Sequence, residues 1–136
     1  SYAEAVAKGR IKAGEKVLFS VPTGNFGDIL AGYYARKMGL PVRRFICASN
    51  ANNVLTDFIN TGAYDRQREL IRTESPSMDI LVSSNLERLL FDITDNDEEQ
   101  VAAWMTELAE EGRDPAFVFR CLGGSPGNAG HDRQSL

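Results

Sequence analysis

Apolar and polar positions alternate between two periods along this chain, one that suits strands and one that suits helices. A short amphipathic stretch over residues 2–8 predicts a helical stub, and Gly14-Glu15 a turn. The run Lys16-Val17-Leu18-Phe19-Ser20-Val21 reads as a strand closed by Pro22. After a short loop, Ile29, Leu30, Tyr33, Tyr34 and Met38 fall on helical spacing, with Gly39 and Pro41 as stop signals. Residues 43–48, with Phe45, Ile46 and Cys47, read as a second strand. A strand, loop, helix and strand of this length close as a right-handed parallel crossover.

Further on, the cap-rich residues 50–53 predict a helix through Val54, Leu55 and Phe58 that ends at Asn60-Thr61-Gly62. Ser75-Pro76-Ser77 predicts the start of another, carrying Leu81, Val82, Leu86, Leu89 and Leu90 to near Asp92, with Ser83 and Ser84 on it. Thr94 and Asp97 stand at capping-box spacing before the stripe Val101, Trp104, Met105 and Leu108, which ends at Gly112. Residues 116–121 have the texture of one more strand, but 123–136 are Gly-, Ser-, Pro- and Asn-rich without periodicity. The expected organisation is an α/β unit over 1–112, a short parallel sheet flanked by helices, and a divergent, disordered tail over 113–136. A sheet of two or three parallel strands leaves unpaired edges, so the chain is expected to be marginal, self-associating or complemented by a partner.

Composition narrows the function classes. With 136 residues, 43% hydrophobic and 25% charged, the chain matches an ordinary soluble domain. A net charge of −4 offers no electropositive field for nucleic acid. No apolar run is long enough to span a bilayer and there is no signal-peptide pattern, which points to a cytoplasmic protein. Cys47 and Cys121 lie far apart without metal-ligand spacing, and the single His131 has no partners for a metal site or a hydrolase triad with Ser83 or Ser84. The acids at 92, 95, 97, 98 and 99 lack the spacing of a calcium loop and suit helix capping, so no metal is expected. Arg66, Arg68 and Arg72 are candidate phosphate contacts or a solvated surface. Tyr33 and Tyr34, adjacent on a helix, point in different directions, one toward the core and one toward the surface.

Chemistry concentrates in Val21-Pro22-Thr23-Gly24-Asn25-Phe26-Gly27-Asp28, which sets two glycines between a strand and a helix. Amides left unpaired at a helix start, together with the helix dipole, favour an anion there by about 0.3–1 kcal/mol, and the glycines permit close approach. Close packing of helix on sheet is the alternative use of such glycines. The loop has neither the Lys-Ser/Thr of a nucleoside-triphosphate loop nor the three glycines of a dinucleotide fingerprint. Asp28 brings a second anion to the same amides, and caps them or turns away.

From Val21 onward, Val-Pro-Thr-Gly-Asn-Phe-Gly-Asp-Ile-Leu-Ala-Gly-Tyr-Tyr-Ala closely resembles the phosphate-loop segment of threonine synthases. Two further blocks agree in order and spacing: residues 50–64, with Leu55-Thr56-Asp57-Phe58 and Asn60-Thr61-Gly62, and Ser75-Pro76-Ser77-Met78-Asp79-Ile80 leading to Val82-Ser83-Ser84-Asn85-Leu86-Glu87-Arg88. The resemblance runs over 1–112 and fades after Arg113. It implies part of a fold-type-II pyridoxal 5'-phosphate (PLP) enzyme of the tryptophan synthase beta-like architecture, a carbon–oxygen lyase that turns O-phosphohomoserine and water into threonine and phosphate. It also implies that Thr23, Gly24, Asn25, Phe26, Gly27 and Asp28 line the cofactor's phosphate site. The family's Schiff-base lysine, in a Phe-Lys-Asp segment, and its Ser-Gly-Asp-Thr-Gly substrate loop have no counterpart here; Lys8, Lys12, Lys16 and Lys37 read as solvated surface residues. The expectation is therefore an internal fragment with a cofactor site, no catalytic residue and no activity alone. The alternatives are a non-catalytic phosphate-ligand-binding module and a non-functional truncation product.

Overall fold

A computed structural model describes residues 1–111 and 113–115. After a short helix α1 (Tyr2–Ala7), strand β1 (Val17–Pro22) pairs in parallel with β2 (Val42–Ala48), and helix α2 (Gly27–Lys37) makes the crossover. The pairing runs from Leu18 opposite Arg44 to Pro22 opposite Ala48, so the C-terminal ends of both strands open onto the loop before α2. Burial alternates along β1: Val17, Phe19 and Val21 are half-buried, whereas Leu18, Ser20 and Pro22 are exposed. Phe19 stacks on Phe45 of β2 with ring centroids 6.0 Å apart. Gly32 lets α2 settle on the strand, for a Cβ there would stand 2.6 Å from the Phe45 ring.

Two helices and a strand pair complete the described chain. Helix α3 (Val54–Thr61) ends on Gly62 in the left-handed conformation (φ 78°), turning the chain into β3 (Ala63–Asp65). Helices α4 (Leu86–Ile93) and α5 (Glu98–Glu111) follow, and β4 (Arg113–Pro115) pairs antiparallel with β3. The core lies between α2, α3, α4 and α5, where Ile29, Leu30, Phe58, Tyr64 and Leu89 are buried. Tyr33 is partly buried against it and Tyr34 is exposed, as their adjacent positions imply.

Three stretches differ from the pattern's expectation. The helix expected from Ser75 to Asp92 is a single 3-10 turn, Pro76–Met78, then an irregular segment, then α4. Tertiary hydrogen bonds capture this segment's polar groups: the Asp79 carboxylate accepts from Thr73, Asn50 and Asn52, while the Tyr64 hydroxyl donates to the Leu81 carbonyl and accepts from the Ser83 amide. Ser83 and Ser84 thus lie in a loop, not on a helix. Thr94 closes α4 instead of opening α5, its hydroxyl donating to the Leu90 and Phe91 carbonyls. Asp95 and Asn96 then turn through φ values of 56° and 66°, and Asp97 alone caps α5 by accepting from the Gln100 amide at 2.9 Å. The antiparallel β3–β4 pair was not foreshadowed, and its second strand occupies the first three residues of the expected tail. The rest of that tail, with the strand expected over 116–121, lies outside the described residues.

Candidate cofactor-phosphate site

The loop between β1 and α2 is built from the sheet outward. The Thr23 amide donates to the Ala48 carbonyl at 2.9 Å, extending the β1–β2 ladder by one bond. Thr23 is buried, and its hydroxyl accepts from the Phe26 amide at 3.1 Å, closing a tight turn over Gly24 and Asn25. Phe26 is the N-cap of α2 and takes the left-handed conformation, φ 67°, which is uncommon for a residue with a side chain. Its ring, 1% exposed, is part of the core, and that burial holds the strained backbone in place.

The positive φ thus falls on Phe26 and not on either glycine. Gly24 is required for a different reason: a Cβ there would lie 3.1 Å from the Met78 carbonyl oxygen and 3.3 Å from Ile80 Cδ1. The segment after the 3-10 turn therefore rests directly on the loop's backbone. At Gly27 an added Cβ would meet only the Asn85 side chain, 3.4 Å away.

The loop presents donors. Helix α2 takes up the Phe26 carbonyl with the Leu30 amide at 3.0 Å, so the amides of Gly27, Asp28 and Ile29 have no partner within the helix. The amides of Gly24 and Asn25 likewise donate to nothing among the described residues. Asp28 is exposed and makes no capping bond, so its carboxylate does not occupy these amides. Of the six residues singled out in the sequence, Gly24, Asn25, Gly27 and Asp28 bring free backbone donors to one loop; the Phe26 amide is spent on Thr23, and the Phe26 ring is core.

Sequence reasoning missed Ser83, Ser84 and Asn85. The Ser83 hydroxyl donates to the Gly24 carbonyl; Ser84 Oγ donates to Asn25 Oδ1 at 2.6 Å; Asn85 Nδ2 donates to Asn25 Oδ1 at 2.8 Å and to its carbonyl at 3.2 Å. A Ser-Ser-Asn run before an apolar stretch is the signal for a helix start at Leu86, where α4 begins.

The other candidates stand elsewhere. Arg68 pairs with Asp57 at 2.6 Å and Arg66 donates to the Ala109 carbonyl in α5; neither hydrogen-bonds to the loop, nor does Arg72. All four lysines are exposed, Lys8 against Glu4 and Lys37 against Asp92 at 2.7 Å. The Lys37 ammonium, and after it the Tyr33 hydroxyl, hold the Asp92 carboxyl below the usual aspartate range. Burial first, then the Asp92 carboxylate, push the Tyr33 phenol up to about 12. Cys47 is a free, half-buried thiol, raised above its ordinary pKa by burial. No cluster of His, Cys, Asp or Glu among the described residues is arranged to hold a metal, and no helix among them is long and apolar enough to cross a membrane.

No family model matches the chain. Curated proteins do. It is 55% identical over 109 residues to the human protein named threonine synthase-like 1, covering 79% of this chain and 14% of that one. It is 52% identical over 97 residues to the threonine synthase of Pseudomonas aeruginosa, covering 71% of this chain and 20% of the relative. Among solved structures, PLP-bound threonine synthase from Brucella melitensis superposes with a TM-score of 0.79 at 41% identity, covering 90% of this chain and 26% of that one. Yeast threonine synthase gives a TM-score of 0.78 at 40% identity over the same shares. Over the segment it spans, the chain is a homologue of the threonine synthases. It spans between about one seventh and one quarter of the length of these threonine synthase relatives. Its parallel pair and flanking helices are accordingly part of a fold-type-II PLP enzyme architecture, and PLP is the family's cofactor.

Proposed function

We propose that this segment of threonine synthase holds the phosphate of PLP, with the Gly24, Asn25, Gly27 and Asp28 amides as its cradle. The carrying observation is the set of unpartnered amides at the N-terminus of α2, on a loop whose Gly24, Asn25 and Phe26 carbonyls and Thr23 hydroxyl already accept hydrogen bonds. Backbone donors free at a helix start suit a dianion, and the α2 dipole adds to the attraction. Thr23 contributes by shaping the turn, and Phe26 by anchoring it in the core.

The reaction proposed for the parent is conversion of O-phosphohomoserine and water into threonine and phosphate. When bound, PLP supplies the electron sink that such chemistry needs. This chain's residues bind and orient the cofactor's phosphate end; the four exposed lysines lie just after α1, in the segment before β1 and at the end of α2, and none stands in a Phe-Lys-Asp segment. The covalent anchor and the groups that bind the amino-acid carboxylate are left to other parts of the parent, so the segment by itself is inactive. A cytoplasmic setting completes the reading.

Titrating PLP into the isotope-labelled chain while recording backbone amide resonances tests the assignment. Saturable shifts centred on Gly24, Asn25, Gly27 and Asp28, reproduced in part by inorganic phosphate, are expected. Shifts confined to other residues, or none at millimolar PLP, would remove the site from this loop.

A further inference from the structure

Asn25 is exposed on the loop, yet its side-chain orientation is dictated from behind. Its Oδ1 accepts two hydrogen bonds, from Ser84 Oγ at 2.6 Å and Asn85 Nδ2 at 2.8 Å. Asn85 is itself fixed, because its own Oδ1 accepts from the Arg88 guanidinium at 3.2 Å. Arg88 has only donors, so it selects the Asn85 oxygen; this turns the Asn85 nitrogen toward Asn25, where it selects the Asn25 oxygen. The remaining group, Asn25 Nδ2, donates to nothing among the described residues. The same tripeptide pins the backbone beneath: the Ser83 hydroxyl takes the Gly24 carbonyl, and the Asn85 amide and side chain take the Asn25 carbonyl at 3.4 and 3.2 Å.

We infer that Arg88, Asn85 and Ser84 form an orientation relay that presents Asn25 Nδ2 as a side-chain donor to the cofactor's phosphate. The inference rests on the reading of the loop as that phosphate's site and adds to it residues from a second part of the chain. Ser84, Asn85 and Arg88 are positioning residues: they act through Asn25 and leave the phosphate to it. A direction that is fixed before the ligand arrives lowers the ordering cost of binding, and an amide donor to a charged phosphate is stronger than one to a neutral group.

Asn25→Asp separates this role from a merely structural one. The aspartate keeps the oxygen that Ser84 and Asn85 grip but replaces the Nδ2 donor with a second, anionic oxygen. Affinities of the full chain for PLP and for pyridoxal, which lacks the phosphate, are compared across Asn25→Asp, the double variant Ser84→Ala with Asn85→Ala, and Ser84→Thr, which keeps the hydroxyl. Asn25→Asp is expected to weaken PLP binding by tenfold or more, about the worth of one hydrogen bond to a charged group. The double variant is expected to weaken it by a smaller factor while loosening the Asn25 side-chain amide in nitrogen relaxation; Ser84→Thr should stay near wild type, and pyridoxal binding should not change. PLP bound by the wild type more tightly than pyridoxal, but with affinity undiminished in Asn25→Asp and in the double variant, overturns the relay and leaves the phosphate site standing. A wild type that binds PLP no better than pyridoxal overturns the phosphate site and the relay together.

Discussion

The two faces of the β1–β2 sheet differ sharply. The inner face carries Phe45 against Gly32 of α2 and leads, at the strand ends, into a loop whose N-cap residue Phe26 is 1% exposed. The outer face leaves Leu18 55% and Ile46 39% exposed, although a parallel sheet is ordinarily covered on both sides. The site lies with the inner face, so its geometry depends on contacts this chain makes with itself. Nothing among the described residues covers Leu18 and Ile46 on the outer face.

Mutations can break or sharpen that contrast. Phe26→Ala on the inner side should have the largest effect, a loss of about 3–5 kcal/mol as for other buried rings, read by denaturant unfolding. It should take PLP binding with it, since the ring holds the loop's left-handed turn. Gly32→Ala comes next: its methyl would stand 2.6 Å from the Phe45 ring, and overpacking of this kind costs about 1–3 kcal/mol. A Gly32→Ala chain as stable as wild type would mean that α2 does not press on β2.

Acid should act on the hydrogen-bonded carboxylates. The Thr73 amide and hydroxyl, with Asn50 and Asn52, hold the Asp79 carboxyl below its ordinary pKa, and Lys37 with Tyr33 does so for Asp92. A depressed folded-state pKa means that both contributions are present above the ordinary aspartate value of about 3.9 and are lost as pH falls below it. Asp79→Asn and Asp92→Asn should each flatten the fall in melting temperature between neutral and strongly acidic pH. Leu18→Lys with Ile46→Lys on the outer face should have the smallest effect, within about 0.5 kcal/mol, while reducing any self-association seen by sedimentation. A loss comparable with Gly32→Ala would show the outer face to be covered in the folded chain.

The parallel unit was legible because its signals are local. Alternation in β1, the helical spacing of Ile29, Leu30 and Tyr33, and Gly62 as a C-cap each depend on a few neighbouring residues. The loop's resemblance to a family carried its proposed chemistry. Residues 75–97 were misread because their conformation is set from a distance: Asp79 answers to Asn50 and Asn52, Ser83 to Tyr64, and Ser84 and Asn85 to Asn25. Apolar spacing cannot report such partners, and it predicts one helix where a turn, a loop and α4 stand. The antiparallel pairing of β3 with β4 joins residues about fifty positions apart and is beyond local pattern for the same reason.

The central claim, that this segment holds the PLP phosphate through the loop at the start of α2, is tested most directly by thermal unfolding of the whole chain with millimolar PLP, pyridoxal or inorganic phosphate. Binding to the folded form alone raises the midpoint. A rise with PLP that exceeds the rise with pyridoxal, with a smaller rise for phosphate, is the predicted result. Equal midpoints in PLP and pyridoxal would contradict it.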